Sequence, residues 1–121
     1  MAAKQIILEG DSYMWLPLLG LIIGVIIGIK APPLPQAYAQ YMSVAVLAAM
    51  DSVFGGIRAG LEKKFDDTVF ISGFFSNVLL AAGLAYIGER VGVALYTAAI
   101  FAFGVRIFQN LAIIRRHLLK R

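Results

Sequence analysis

The sequence predicts an all-α fold: a polytopic membrane protein with four transmembrane helices in a compact bundle and both termini cytoplasmic. Three observations point there. Four apolar stretches, residues 14–29, 37–57, 68–88 and 91–114, occupy most of the 121 residues, and charges gather between them. The chain is 60% hydrophobic and 15% charged, against roughly 25% charged residues in an ordinary soluble domain. The basic residues are distributed unevenly between the connecting segments. A helix needs roughly 20 apolar residues to cross a hydrocarbon core of about 30 Å. The last three stretches reach that length, and the first approaches it.

Each element has local signals. Residues 1–13 are polar and mixed, and read as an extension, native or added, with Met14 as an alternative start. Asp11 and Ser12 are candidate caps for the first helix, and Pro17 lies within its first turn, where a missing N–H is tolerated. Lys30, Pro32 and Pro33 follow, with no small-x-small cleavage pattern, so the stretch reads as an uncleaved span and not a signal peptide. Pro32, Pro33 and Pro35 break the chain before the second helix. Glu62 through Asp67 form a charged turn that lipid does not accommodate, and Asp66-Asp67 is a cap for the third helix. Gly88 through Gly92 predict a very tight hairpin. His117, Leu118 and Leu119 among basic residues predict that the fourth helix continues along the interface.

Basic residues near span ends set orientation. With cytoplasmic termini, Lys4, Arg58, Lys63, Lys64, Arg115, Arg116, Lys120 and Arg121 lie inside, and only Lys30 and Arg90 outside. That bias disfavours insertion in both orientations. The inner set is expected to meet anionic lipid headgroups or partner proteins, each contact worth on the order of 1 kcal/mol. A basic tail adjoining a membrane helix speaks for lipid and against nucleic acid.

Membrane helices associate through close packing at small residues and interhelical hydrogen bonds. Gly20, Gly24 and Gly28 recur every four residues on the first helix, and the second carries Gly55 and Gly56. These faces either pack the bundle together or form a homo-oligomer or partner surface. Gly56-Ile57-Arg58 is echoed by Gly104-Val105-Arg106, a weak hint of duplicated hairpins that would run parallel.

Ionisable groups in a bilayer are expensive and usually face the bundle interior. Asp51, Asn77 and Arg106 each lie about 13 Å from the expected cytoplasmic boundary at 1.5 Å per residue. They predict an intramembrane polar layer, with Asp51 and Arg106 paired, Asn77 beside them, and Gln109 and Asn110 adjoining. Arg106 snorkelling to the interface is the alternative. Arg58 is expected to snorkel and to meet Glu62 four residues on.

Motifs for chemistry are sparse. The chain has no cysteine, and its one histidine, His117, sits in the basic tail. No carboxylate pair has metal-ligand spacing within a span, and no Gly-Lys-Ser/Thr follows the glycines. The expectation is a protein that is not an enzyme, with no catalytic, cofactor or metal residues.

The runs Asp51-Ser52-Val53-Phe54-Gly55-Gly56-Ile57-Arg58-Ala59, Leu61-Glu62-Lys63-Lys64-Phe65-Asp66-Asp67 and Phe70-Ile71-Ser72-Gly73-Phe74-Phe75 with Asn77 are distinctive. So is the run from Ala102 through Arg116. Together they resemble the bacterial small basic protein family, from about Met14 to the C-terminus. The resemblance implies a small multi-pass protein of the bacterial cytoplasmic membrane, encoded near cell-division and envelope genes, with no assigned catalytic or transport activity. Two functions are expected: a non-enzymatic scaffold that binds membrane proteins, or a small oligomeric transporter or channel using Asp51 and Arg106. Small multidrug transporters depend on an acidic residue in the first helix, which this chain lacks.

Overall fold

The computed structural model describes residues 15–120, which form four α-helices. They are α1 (Trp15–Lys30), α2 (Gln36–Leu61), α3 (Asp67–Val91) and α4 (Tyr96–Leu119). The expected extension 1–13, Met14, the Asp11 and Ser12 caps, Lys4 and Arg121 lie outside the described residues.

The helices α2, α3 and α4 are long and apolar enough to cross a membrane. With 16 residues, α1 extends about 24 Å, less than the hydrocarbon thickness. The sequence boundaries shift at the ends. Arg58 belongs to the last turn of α2, because that helix continues to Leu61. The hairpin expected at Gly88–Gly92 lies later: α3 runs to Val91, Gly92 caps it at φ 77°, and α4 starts at Tyr96. Gly88 permits this turn, since a Cβ there would lie 2.4 Å from the Val93 carbonyl oxygen. Pro35 immediately precedes α2, as a residue with fixed φ and no N–H can. Asp66 caps α3 by accepting the Val69 N–H at 3.1 Å. His117 to Leu119 continue α4 as helix.

The central helix is α2, which packs on all three others, most extensively on α3 and α4. Successive helices alternate in direction. Val44 and Ala48 meet Ala81, Ala85, Ala99 and Phe103 in one core cluster. Val53, Ile57 and Ile114 form a second, with Leu18 and Leu21 against it. The start of α1 and the end of α4 therefore lie at one end of the bundle. Parallel α2 and α4 follow from any such alternation, so the geometry adds nothing to the duplication hint.

That end carries Arg58, Lys63, Lys64, Arg115, Arg116 and Lys120, and the opposite end carries Tyr38, Tyr41, Tyr86 and Tyr96. Along the three long helices, Tyr41 to Arg58, Asp67 to Tyr86 and Tyr96 to Arg115 each span about 26–29 Å. This matches a hydrocarbon core with tyrosines at one interface and charges at the other. The outward faces are correspondingly apolar: Leu79, Leu80, Phe101 and Phe108 are all well exposed.

Candidate functional site

Local packing sets the site. Alanines at positions 48, 81, 85 and 99 bring α2, α3 and α4 close at the tyrosine end. Toward the basic end the inward residues change to Asp51, Ser52, Gly55, Ala59, Asn77 and Arg106, and cavities open between the helices.

Asp51 is fully buried, with 0% exposure. Its Oδ2 lies 3.2 Å from Arg106 Nη2 on α4 and accepts from Asn77 Nδ2 on α3 at 3.4 Å. Asn77 Nδ2 also donates to Ser52 Oγ at 3.2 Å. Thus one carboxylate oxygen joins three helices. The other, Oδ1, has no hydrogen-bond partner. Arg106 bridges environments: its side chain is 56% exposed while reaching a fully buried acid.

The expected five-residue layer divides into two tiers. Asn110 is buried but does not join Asp51. Its Oδ1 accepts from Arg58 Nη1 at 3.1 Å. Arg58 Nε also approaches Glu62 Oε2 at 3.5 Å, one turn along α2. Four residues separate Arg106 from Asn110, so the second tier sits about 6 Å nearer the basic end. Arg58 is accordingly part of a cross-helix network and not a free headgroup contact. Gln109 is exposed and lines the α2–α4 cleft without a hydrogen bond among the described residues.

The glycines also separate by role. Gly56 is an internal contact: a Cβ there would lie 2.9 Å from both Phe70 Cδ1 and Pro17 Cγ. Gly55 faces Asn110, with Nδ2 3.7 Å from a virtual Cβ. Gly20, Gly24 and Gly28 meet nothing within 4 Å. They therefore do not pack α1 against its neighbours, and instead line a groove of about 670 Å³ with Val46, Met50, Phe70 and Phe74. Only the first turns of α1, through buried Pro17, are seated in the bundle. Lys63, Lys64, Arg115, Arg116 and Lys120 are exposed at the basic end, Lys63 with φ 60°.

Sequence reasoning missed four contacts: the Arg58–Asn110 bond, Ser52 as acceptor for Asn77, the Pro17–Gly56–Phe70 clamp, and a Tyr41 hydroxyl donating to Glu89 at the tyrosine end. Only the last had a local signal, a tyrosine and a carboxylate at opposite ends of one predicted hairpin.

A family model described as a protein of unknown function, DUF1290, matches residues 34–119, which include α2, α3 and α4 in full. The chain belongs to this family. Among relatives, the "Small basic protein" of Bacillus subtilis (strain 168) is 55% identical over 109 residues, 89% of this chain and 90% of that one. Uncharacterized proteins of Mycobacterium tuberculosis and Mycobacterium bovis are 42% identical over 117 residues, 90% of this chain and 97% of theirs. No solved structure matches the chain. Both tiers of the site lie inside the part of the chain that the family model covers.

Proposed function

We propose that this family member is a non-enzymatic scaffold of the bacterial cytoplasmic membrane, crossing it four times with both termini inside. It would bind other membrane proteins, or a second copy of itself, and take no part in nucleic-acid binding. The observation that carries this reading is the burial of Asp51 at 0% exposure, bonded to Arg106 and Asn77 of its own chain. A carboxylate engaged inside the bundle organises helices. A transporter needs such a group facing water. The uncovered glycine face of α1 supplies a surface for close helix approach. Orientation is supported by the basic residues gathered at the end shared by the start of α1 and the end of α4. The link to division or envelope assembly rests on resemblance alone, and depletion in a bacterium with cell length and septum spacing as readouts tests it.

One observation favours a second reading, a small oligomeric transporter or channel. Arg106 borders cavities of about 260 and 330 Å³ that extend toward the basic end, and Asp51 lines the first of them. A cysteine placed at position 51 of this cysteine-free chain discriminates. In native membranes the scaffold reading expects no labelling by a water-soluble maleimide, and full labelling after unfolding. Labelling in the folded protein establishes a water path and overturns the scaffold reading.

A further inference from the structure

The cleft at the basic end holds cations with donors to spare and carboxylates already committed. Arg106 has five N–H donors. Its contact among the described residues is the one to Asp51 at 3.2 Å, and its side chain is 56% exposed. Lys64 is exposed in the turn after α2. Both residues line the α2–α3 cavity of about 260 Å³ and the α2–α4 cavity of about 330 Å³. The two cavities also share Gly55 and Ala59, whose small side chains leave the floor on α2 open.

Each carboxylate around this cleft has at least one oxygen engaged. Asp51 Oδ2 is ion-paired with Arg106 and accepts from Asn77, while its buried Oδ1 has no hydrogen-bond partner; Glu62 faces Arg58, and Asp66 Oδ1 accepts the Val69 N–H. A cation entering would compete with these partners, whereas an anion finds unspent donors. Exposed guanidinium N–H groups at membrane depth are costly without an acceptor. A planar fork beside a mobile ammonium suits phosphate, which takes Arg in bidentate fashion and Lys as a point charge.

We propose that this cleft between α3 and α4 binds the phosphate of an anionic membrane lipid, gripped by Arg106 from within and Lys64 at the mouth. The lipid source follows from the walls. On the α3 side, Val69 and Phe70 flank the mouth, and Phe74, one turn deeper, offers apolar surface to the glycerol and upper acyl region below a phosphate held between Arg106 and Lys64. Exposed Lys63, Arg115 and Arg116 add a field that concentrates anionic headgroups at that end. The proposal rests on bilayer placement and holds for scaffold and transporter alike.

The test uses the full chain in detergent, with phosphatidic acid as probe and diacylglycerol as the matched lipid lacking phosphate. Native mass spectrometry is expected to show one phosphatidic acid bound at least tenfold more tightly than diacylglycerol. Gly73 lines the cleft, and a Cβ there meets nothing within 4 Å, so Gly73→Leu fills the space without disturbing the Asp51–Arg106 pair. Gly73→Leu and Lys64→Gln should each weaken phosphatidic acid at least tenfold with helix content unchanged. Arg115→Gln with Arg116→Gln, outside the cleft, should change it less than threefold. Equal binding of the two lipids, unchanged binding by Gly73→Leu, or a loss that follows Arg115 and Arg116 overturns the site. Inorganic phosphate binding with the same dependence on Gly73 and Lys64, while phosphatidic acid fails to bind, retains the anion site and overturns its lipid source.

Discussion

Deleting Arg106 should cost several times more stability than deleting Asn77, although both touch the same oxygen of Asp51. Arg106→Ala leaves a fully buried carboxylate with one neutral donor, the Asn77 amide at 3.4 Å. Removing one partner of a buried ion pair costs about 3–5 kcal/mol. The Arg106 side chain is 56% exposed, so part of its charge is already screened, and the lower end of that range applies. An interhelical hydrogen bond in a membrane is worth about 0.6 kcal/mol on average, which sets the expectation for Asn77→Ala. A loss of about 3 kcal/mol changes the folded-to-unfolded ratio roughly a hundredfold. Asp51→Asn combined with Arg106→Gln removes both charges, and should recover most of the loss because no uncompensated carboxylate remains. Direct exchange of the two residues is a poor rescue, since arginine at the fully buried position 51 overpacks it. The assay is equilibrium unfolding in mixed micelles, read by energy transfer between dyes on cysteines introduced into α2 and α4. If Arg106→Ala costs no more than Asn77→Ala, or the double variant is as unstable as Arg106→Ala, the buried-charge argument is refuted.

The other predictions use the same unfolding assay unless stated. Gly56→Ala should destabilise by about 1–3 kcal/mol through overpacking against Pro17 and Phe70, whereas Gly24→Ala, in open space, should be neutral or slightly stabilising. Asp66→Ala removes the cap of α3, with an expected loss of about 0.5–2 kcal/mol, and Asp66→Asn should retain most of the stability. Reporter fusions in the 31–35 connection and in the 62–66 turn should fall on opposite sides of the membrane, with the 62–66 site cytoplasmic. Finding both on one side overturns α2 as a membrane crossing.

The sequence alone determined the helical class, the membrane-spanning length of three helices, and the end of the bundle at which charge collects. These are one-dimensional properties: length against bilayer thickness, and the order of charges along the chain. It also brought Asp51, Asn77 and Arg106 to one depth, because helical rise converts residue number directly into height. Tertiary structure decided which side chains share a face. In a soluble helix the polar face marks the outside. Here both lipid-facing and inward surfaces are apolar, so periodicity does not distinguish them. That is why Gly56, clamped by Pro17 and Phe70, and Gly24, facing open space, look alike as sequence. Asn110, four residues beyond Arg106 on nearly the same face, lies about 6 Å nearer the basic end and turns to Arg58, a partner that only the packing of α2 on α4 supplies. Height is written in the chain, but azimuth depends on how α2 contacts α3 and α4, and only the packed bundle fixes it.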